Sequence, residues 1–128
     1  MSSPLKILYV DDEEDIRTIV TLCLGMDPAM EVKTADSGIA ALDLLTQSAW
    51  RPDLALVDVM MPYIDGIELL NRMRAEPDTA HIPVVFITAS ARSTQVKHYT
   101  DAGAIGIISK PFDPLTLAAT VRGYHDGA

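Results

Sequence analysis

Five short apolar runs alternating with five helix-forming stretches predict a three-layer α/β domain: a doubly wound, five-stranded parallel sheet with helices on both faces. Two observations carry that prediction. The third run, Leu54-Ala55-Leu56-Val57, is apolar at every position, as expected of a strand covered on both sides in the middle of a parallel sheet. The polar residues also gather at the carboxyl ends of the runs: Asp11 and Asp12 after the first, Asp58 after the third, Thr88 after the fourth and Lys110 after the fifth. In open sheets of this kind ligands bind beyond those ends, where the strand order switches. A length of 128 residues suits a single domain over 1–128, with one core spanning about 5–123.

Taken in order, Leu5-Lys6-Ile7-Leu8-Tyr9-Val10 reads as the first strand and stops abruptly in Asp11-Asp12-Glu13-Glu14-Asp15. Ile16, Ile19, Val20, Cys23 and Leu24 then recur at helical spacing as one apolar stripe, which should end near Gly25 to Pro28. Glu31 to Ala35 alternates in polarity and is placed nearer a sheet edge. Asp36 or Ser37 can cap a second helix through Ile39, Leu42 and Leu45. The Leu54 run delivers Asp58 and breaks at Met61-Pro62. Asp65-Gly66-Ile67-Glu68 has capping-box spacing and opens a helix with Ile67, Leu70 and Met73 on one face, ending before Pro77. Pro83 to Ile87 is the fourth strand. Ser93 to Ala102 forms a polar helix whose stripe, Val96 and Tyr99, is thin, so weak anchoring and mobility are expected there. Gly103 to Ile108 gives the fifth strand. Asp113 caps a last helix with Pro114 at its first position and Leu115, Ala118 and Val121 facing inward.

Composition excludes several roles. A hydrophobic content of 48% with only 5% aromatic residues points to an aliphatic interior. The net charge of −8 argues against binding a nucleic-acid backbone, which needs clustered Lys and Arg, and against an anionic membrane surface. No apolar h-region opens the chain and no apolar run reaches about 18 residues, so neither a signal peptide nor a membrane span is expected. The lone Cys23 has no intrachain partner, which suits a reducing cytoplasm, and its place on an apolar stripe reads as core. His81, His98 and His125 lack partners at ligand spacing and read as surface residues; Trp50 reads as loop packing.

The chemistry lies in the acids. An ionised Asp58 at the end of a buried strand must reach solvent, be paired or hold a metal. If the first and third strands are neighbours, Asp11, Asp12 and Asp58 converge. Two carboxylates about 5 Å apart repel by roughly 3 kcal/mol at an effective dielectric of about 20. One lysine cannot neutralise three of them, whereas a hard divalent cation can, and an all-oxygen set with room for water and phosphate suits Mg²⁺. A carboxylate beside Mg²⁺, Lys110 and the Thr88 hydroxyl has what phosphoryl transfer requires, with Asp58 as the nucleophile that forms an acyl phosphate.

These residues resemble those of a known family, the receiver domains of two-component response regulators. The matching signatures are Val10-Asp11-Asp12, Asp58-Val59-Met60-Met61-Pro62 with Asp65-Gly66, Thr88-Ala89, and Lys110-Pro111-Phe112, in order over roughly Leu5 to Val121. The resemblance implies a flavodoxin-like sheet in the order 2-1-3-4-5. It implies that Asp58 accepts phosphate from a phosphohistidine of a sensor histidine kinase or a histidine phosphotransfer protein, and that the output is altered protein binding. It also implies that Asp12, Asp58 and the Met60 carbonyl ligate Mg²⁺ directly, with Asp11 acting mainly through water. Lys110-Pro111 is expected to be cis, and Met60 and Ser90 to tune access of water to the acyl phosphate. One position departs from the pattern. Receivers usually carry Tyr or Phe three residues before the lysine, and here Ile107 stands there; coupling is then expected to pass through the Thr88 to Ser93 loop and the fourth helix.

Rival readings fit less well. An aspartyl-phosphate phosphatase would carry a second acid where Met60 stands, and a flavin or nucleotide binder would have a first loop rich in Ser, Thr and Gly. A degenerate receiver that only docks would lack some of the five pocket residues, all of which are present. No output segment is expected after Val121, which leaves a stand-alone regulator, a relay intermediate passing phosphate onward, or a receiver excised from a longer protein.

Overall fold

The structure is a computed structural model that describes residues 3–89 and 92–128. Five strands alternate with five helices: β1 (Leu5–Val10), α1 (Glu14–Leu24), β2 (Met30–Ala35), α2 (Gly38–Gln47), β3 (Leu54–Asp58), α3 (Gly66–Ala75), β4 (Val84–Thr88), α4 (Ser93–Asp101), β5 (Gly106–Ser109) and α5 (Leu117–Asp126). All strand pairs are parallel and the sheet runs β2-β1-β3-β4-β5. β3 and β4 are buried at every residue, as their unbroken apolar runs require of central strands. β2 lies at an edge and exposes Glu31, Lys33 and Thr34.

Strand alternation divides the interior in two. Tyr9, Leu54, Leu56, Val85 and Ile87 pack with Val20, Cys23 and Leu24 of α1 and Leu117 and Val121 of α5 on one face. Leu8, Val10, Val57, Val84 and Phe86 pack with α2, α3 and Tyr99 of α4 on the other. Cys23 is buried and free, and Trp50 donates from Nε1 to Glu31 at 2.6 Å while Lys33 sits over its ring, covering the β2 edge.

Local chemistry sets the helix starts. Ser37, not Asp36, caps α2 through the Ala40 amide at 3.0 Å. Asp65 caps α3 by accepting from the Glu68 amide at 2.9 Å, but the Glu68 carboxylate turns along the helix to Arg72 at 3.2 Å instead of closing the box. α5 begins later than its sequence suggests. Asp113 does accept a backbone bond, from the Leu115 amide at 2.9 Å, but that closes a turn ahead of the helix; Thr116 holds the cap position and Leu115 is 81% exposed. β5 likewise starts at Gly106, because Gly103 takes a left-handed φ of 117° in the turn before it. Ile19 and Ile39, expected on inward stripes, face solvent.

Candidate functional site

Register brings the acids together. Val10 of β1 is level with Val57 of β3, so the next residues, Asp11 and Asp58, leave the sheet side by side. With Asp12, one carboxylate oxygen from each of the three lies within 4.8 Å of the others. On the far side of β3, Thr88 is level with Ser109 of β5, and the amide of Lys110 donates to the Thr88 carbonyl at 2.8 Å. The Lys110 Nζ reaches back across the sheet edge to Asp58 Oδ2 at 3.2 Å and Asp11 Oδ2 at 3.3 Å. The Lys110–Pro111 peptide is cis. Among the described residues these three acids form the only cluster with metal-ligand spacing.

The helix that follows each strand fixes these side chains. Asp11 Oδ1 accepts from the Glu13 amide at 2.9 Å and its carbonyl accepts from Arg17 Nη1 at 2.9 Å, which ties β1 to the first turn of α1. Asp58 Oδ1 accepts from the Met60 amide at 3.1 Å. Gly66 opens α3 flush against the end of β3: its amide donates to the Val59 carbonyl at 2.9 Å, and a Cβ there would lie 2.7 Å from the Asp58 carbonyl. Only glycine fits that approach.

Burial and charge set the titration. Asp11 and Asp58 are shut away from solvent, whereas Asp12 is exposed. Burial pushes the Asp58 carboxyl above its ordinary range; Lys110 opposes the rise and the neighbouring Asp11 adds to it. Burial disfavours the Lys110 ammonium, but Asp58 and Asp11 outweigh it and hold its pKa above the usual lysine value. The cleft is therefore short of positive charge. All its ligand atoms are oxygens, and one ammonium stands against three acids, a donor set that fits a hard divalent cation.

A family model for the response regulator receiver domain matches residues 7–122. The chain belongs to this family. It is 37% identical to the chemotaxis protein CheY-3 of Vibrio cholerae over 117 residues, covering 91% of this chain and 88% of that one. It is 36% identical to the transcriptional regulatory protein CseB of Streptomyces coelicolor over 122 residues, and spans about half of that longer protein, 50%. The crystal structure of the V. cholerae chemotaxis protein CheY4 superposes with a TM-score of 0.85 at 31% identity, covering 95% of this chain and 99% of that one. As a receiver domain it is a signalling module of two-component systems, and the 2-1-3-4-5 sheet is the receiver sheet.

Against the receiver pattern, the position of the usual aromatic residue is filled by a half-buried Ile107, level with Phe86 of β4. Its carbonyl accepts from the Tyr124 hydroxyl of α5 at 3.1 Å. Aromatic bulk comes instead from β4 and α4, where Phe86 and Tyr99 meet edge to face with ring centroids 5.5 Å apart. Phe86 lies two residues before Thr88 on the same face of β4. Ser90 lies outside the described residues, as does part of the Thr88 to Ser93 loop. Two contributors were missed in the sequence, Tyr9 and Arg17. Arg17 carries no signal, since one arginine on a helix surface looks like any other. Tyr9 does carry one: it is a phenol in an aliphatic strand, two residues before Asp11 and hence on the same face.

Proposed function

We propose that this receiver domain accepts a phosphoryl group on Asp58 from the phosphohistidine of a sensor histidine kinase or histidine phosphotransfer protein, and signals through altered protein binding. A carboxylate oxygen of Asp58 attacks phosphorus as the donor's phosphorus–nitrogen bond breaks, and the electron pair leaves with the ring nitrogen. The Met60 amide and Lys110 hold the Asp58 carboxylate in place for attack. Lys110 Nζ and the Thr88 hydroxyl take charge developing on the phosphoryl oxygens. Asp12, Asp58 and the Met60 carbonyl would hold Mg²⁺, with Asp11 contributing through water. The bound ion supplies the positive charge that lets several anions share the cleft.

One observation carries this reading: a buried carboxylate bridged by a single ammonium, at 3.2 Å, within a cluster of three acids. An ion pair kept only for stability would match its charges, since an unpaired buried acid is destabilising. Incubation with acetyl phosphate and Mg²⁺, read by intact mass, tests it. Wild type should gain one phosphoryl group and Asp58→Asn none; equal modification of both would end the assignment.

A further inference from the structure

We infer that Tyr9 is a positioning residue for this site: its hydroxyl fixes the Asp11 carboxylate so that Asp11 serves the cation through water and leaves direct ligation to Asp12 and Asp58. The inference rests on the phosphoryl-acceptor reading above. Tyr9 is fully buried in β1, in the core cluster that also holds Ile7, Val20, Leu56 and Ile87. A phenol O–H in such a core requires a partner, and the partner here belongs to the acidic cleft. The Tyr9 hydroxyl donates to Asp11 Oδ2 at 2.6 Å, the short range of a bond to a charged acceptor.

Counting lone pairs shows what that bond does. A carboxylate offers about four acceptor sites. Asp11 Oδ1 uses one for the Glu13 amide, and Oδ2 uses two, for Tyr9 and Lys110. Oδ2 is then saturated, leaving a single site on Oδ1. The bond also matters because Lys110 is shared between Asp11 and Asp58. When Lys110 turns to a phosphoryl oxygen, Asp11 loses that donor. Tyr9 stays, because its bond to Asp11 does not involve Lys110. A neutral donor orients Asp11 without adding charge.

Titration calorimetry with Mg²⁺ on wild type, Tyr9→Phe, Asp11→Asn and the double variant tests this. Phenylalanine keeps the ring in the core, so packing is preserved. Tyr9→Phe should weaken Mg²⁺ binding about tenfold, the scale of losing an outer partner of a ligand. Its maximal rate of phosphorylation by acetyl phosphate at saturating Mg²⁺ should stay within about twofold of wild type. In the Asp11→Asn background the same substitution should add nothing. Unchanged affinity in Tyr9→Phe, or an equal loss with and without Asp11, would overturn the inference while leaving the acceptor reading intact. Failure of wild type to bind Mg²⁺ would overturn both.

Discussion

At the scale of single residues, the burial that frames Asp58 works against stability. Its carboxyl lies above the ordinary value of 3.8, chiefly through burial. A folded-state pKa raised in this way gives stability that is fully present below the unfolded pKa and is lost as pH rises through the folded one. At neutral pH the ionised Asp58 therefore destabilises the ion-free domain despite Lys110. Asparagine keeps an acceptor for the Met60 amide and carries no charge. In EDTA, Asp58→Asn should melt above wild type at pH 7, and the gap should close as the pH is lowered below about 4. A lower melting point at pH 7 would mean that the Lys110 pair outweighs burial. The convergence of Asp11, Asp12, Asp58 and Lys110 was legible in the sequence because each follows an apolar run, and a charge where burial should end is conspicuous. Tyr9 carried a weaker signal, a phenol in an aliphatic strand two residues before an acid, and its role shows only where its hydroxyl reaches Asp11.

At the scale of elements, the junctions between strands and helices do the aiming, and Gly66 is the one set directly against strand backbone. Helix propensity alone says that alanine for glycine stabilises, by about 1 kcal/mol. The contact geometry says the reverse: the added Cβ would meet the Asp58 carbonyl at 2.7 Å and the Val59 Cα at 2.9 Å, both backbone atoms that cannot swing aside. Gly66→Ala should therefore destabilise by about 1–3 kcal/mol in urea unfolding, the usual cost of overpacking, and should slow phosphorylation as the end of β3 shifts. A more stable variant would show that the junction yields. The same junctions mark where sequence reading stopped short. Asp113-Pro114 has every sign of a helix start, yet the Asp113 side chain closes a turn on Leu115 and the helix opens at Leu117. An Asx turn and an N-cap use the same residue types for the same bond, and only the following backbone tells them apart. Ile19 and Ile39 misled differently: hydrophobic spacing locates a stripe, but not which of its edges the neighbouring elements cover.

For the whole molecule, the alternation of elements already implied a parallel sheet, and the carboxyl-edge clustering implied where the site lies. Strand order did not follow from composition: the neighbouring of β1 and β3, which creates the acidic cleft, came through resemblance to receiver domains and is seen directly in the Val10 to Val57 register. That cleft sits in a chain of net charge −8, so any salt should relieve some self-repulsion, and a specific cation must be told apart from general screening. Screening acts on all exposed pairs alike, with a Debye length of about 10 Å at about 0.1 M. Binding acts only through the site: free Mg²⁺ about a hundredfold above its Kd adds about 2.7 kcal/mol, a melting rise of the order of 10 °C for a domain of this size. Mg²⁺ should thus raise the melting temperature of wild type well beyond NaCl of matched ionic strength. Asp12 is the exposed member of the cluster, so its charge can be removed without leaving a buried gap. Asp12→Asn should retain the NaCl response and lose most of the extra Mg²⁺ increment. If Mg²⁺ and matched NaCl stabilised wild type equally, the three acids would be a repulsive patch relieved by screening, with no ion held between them.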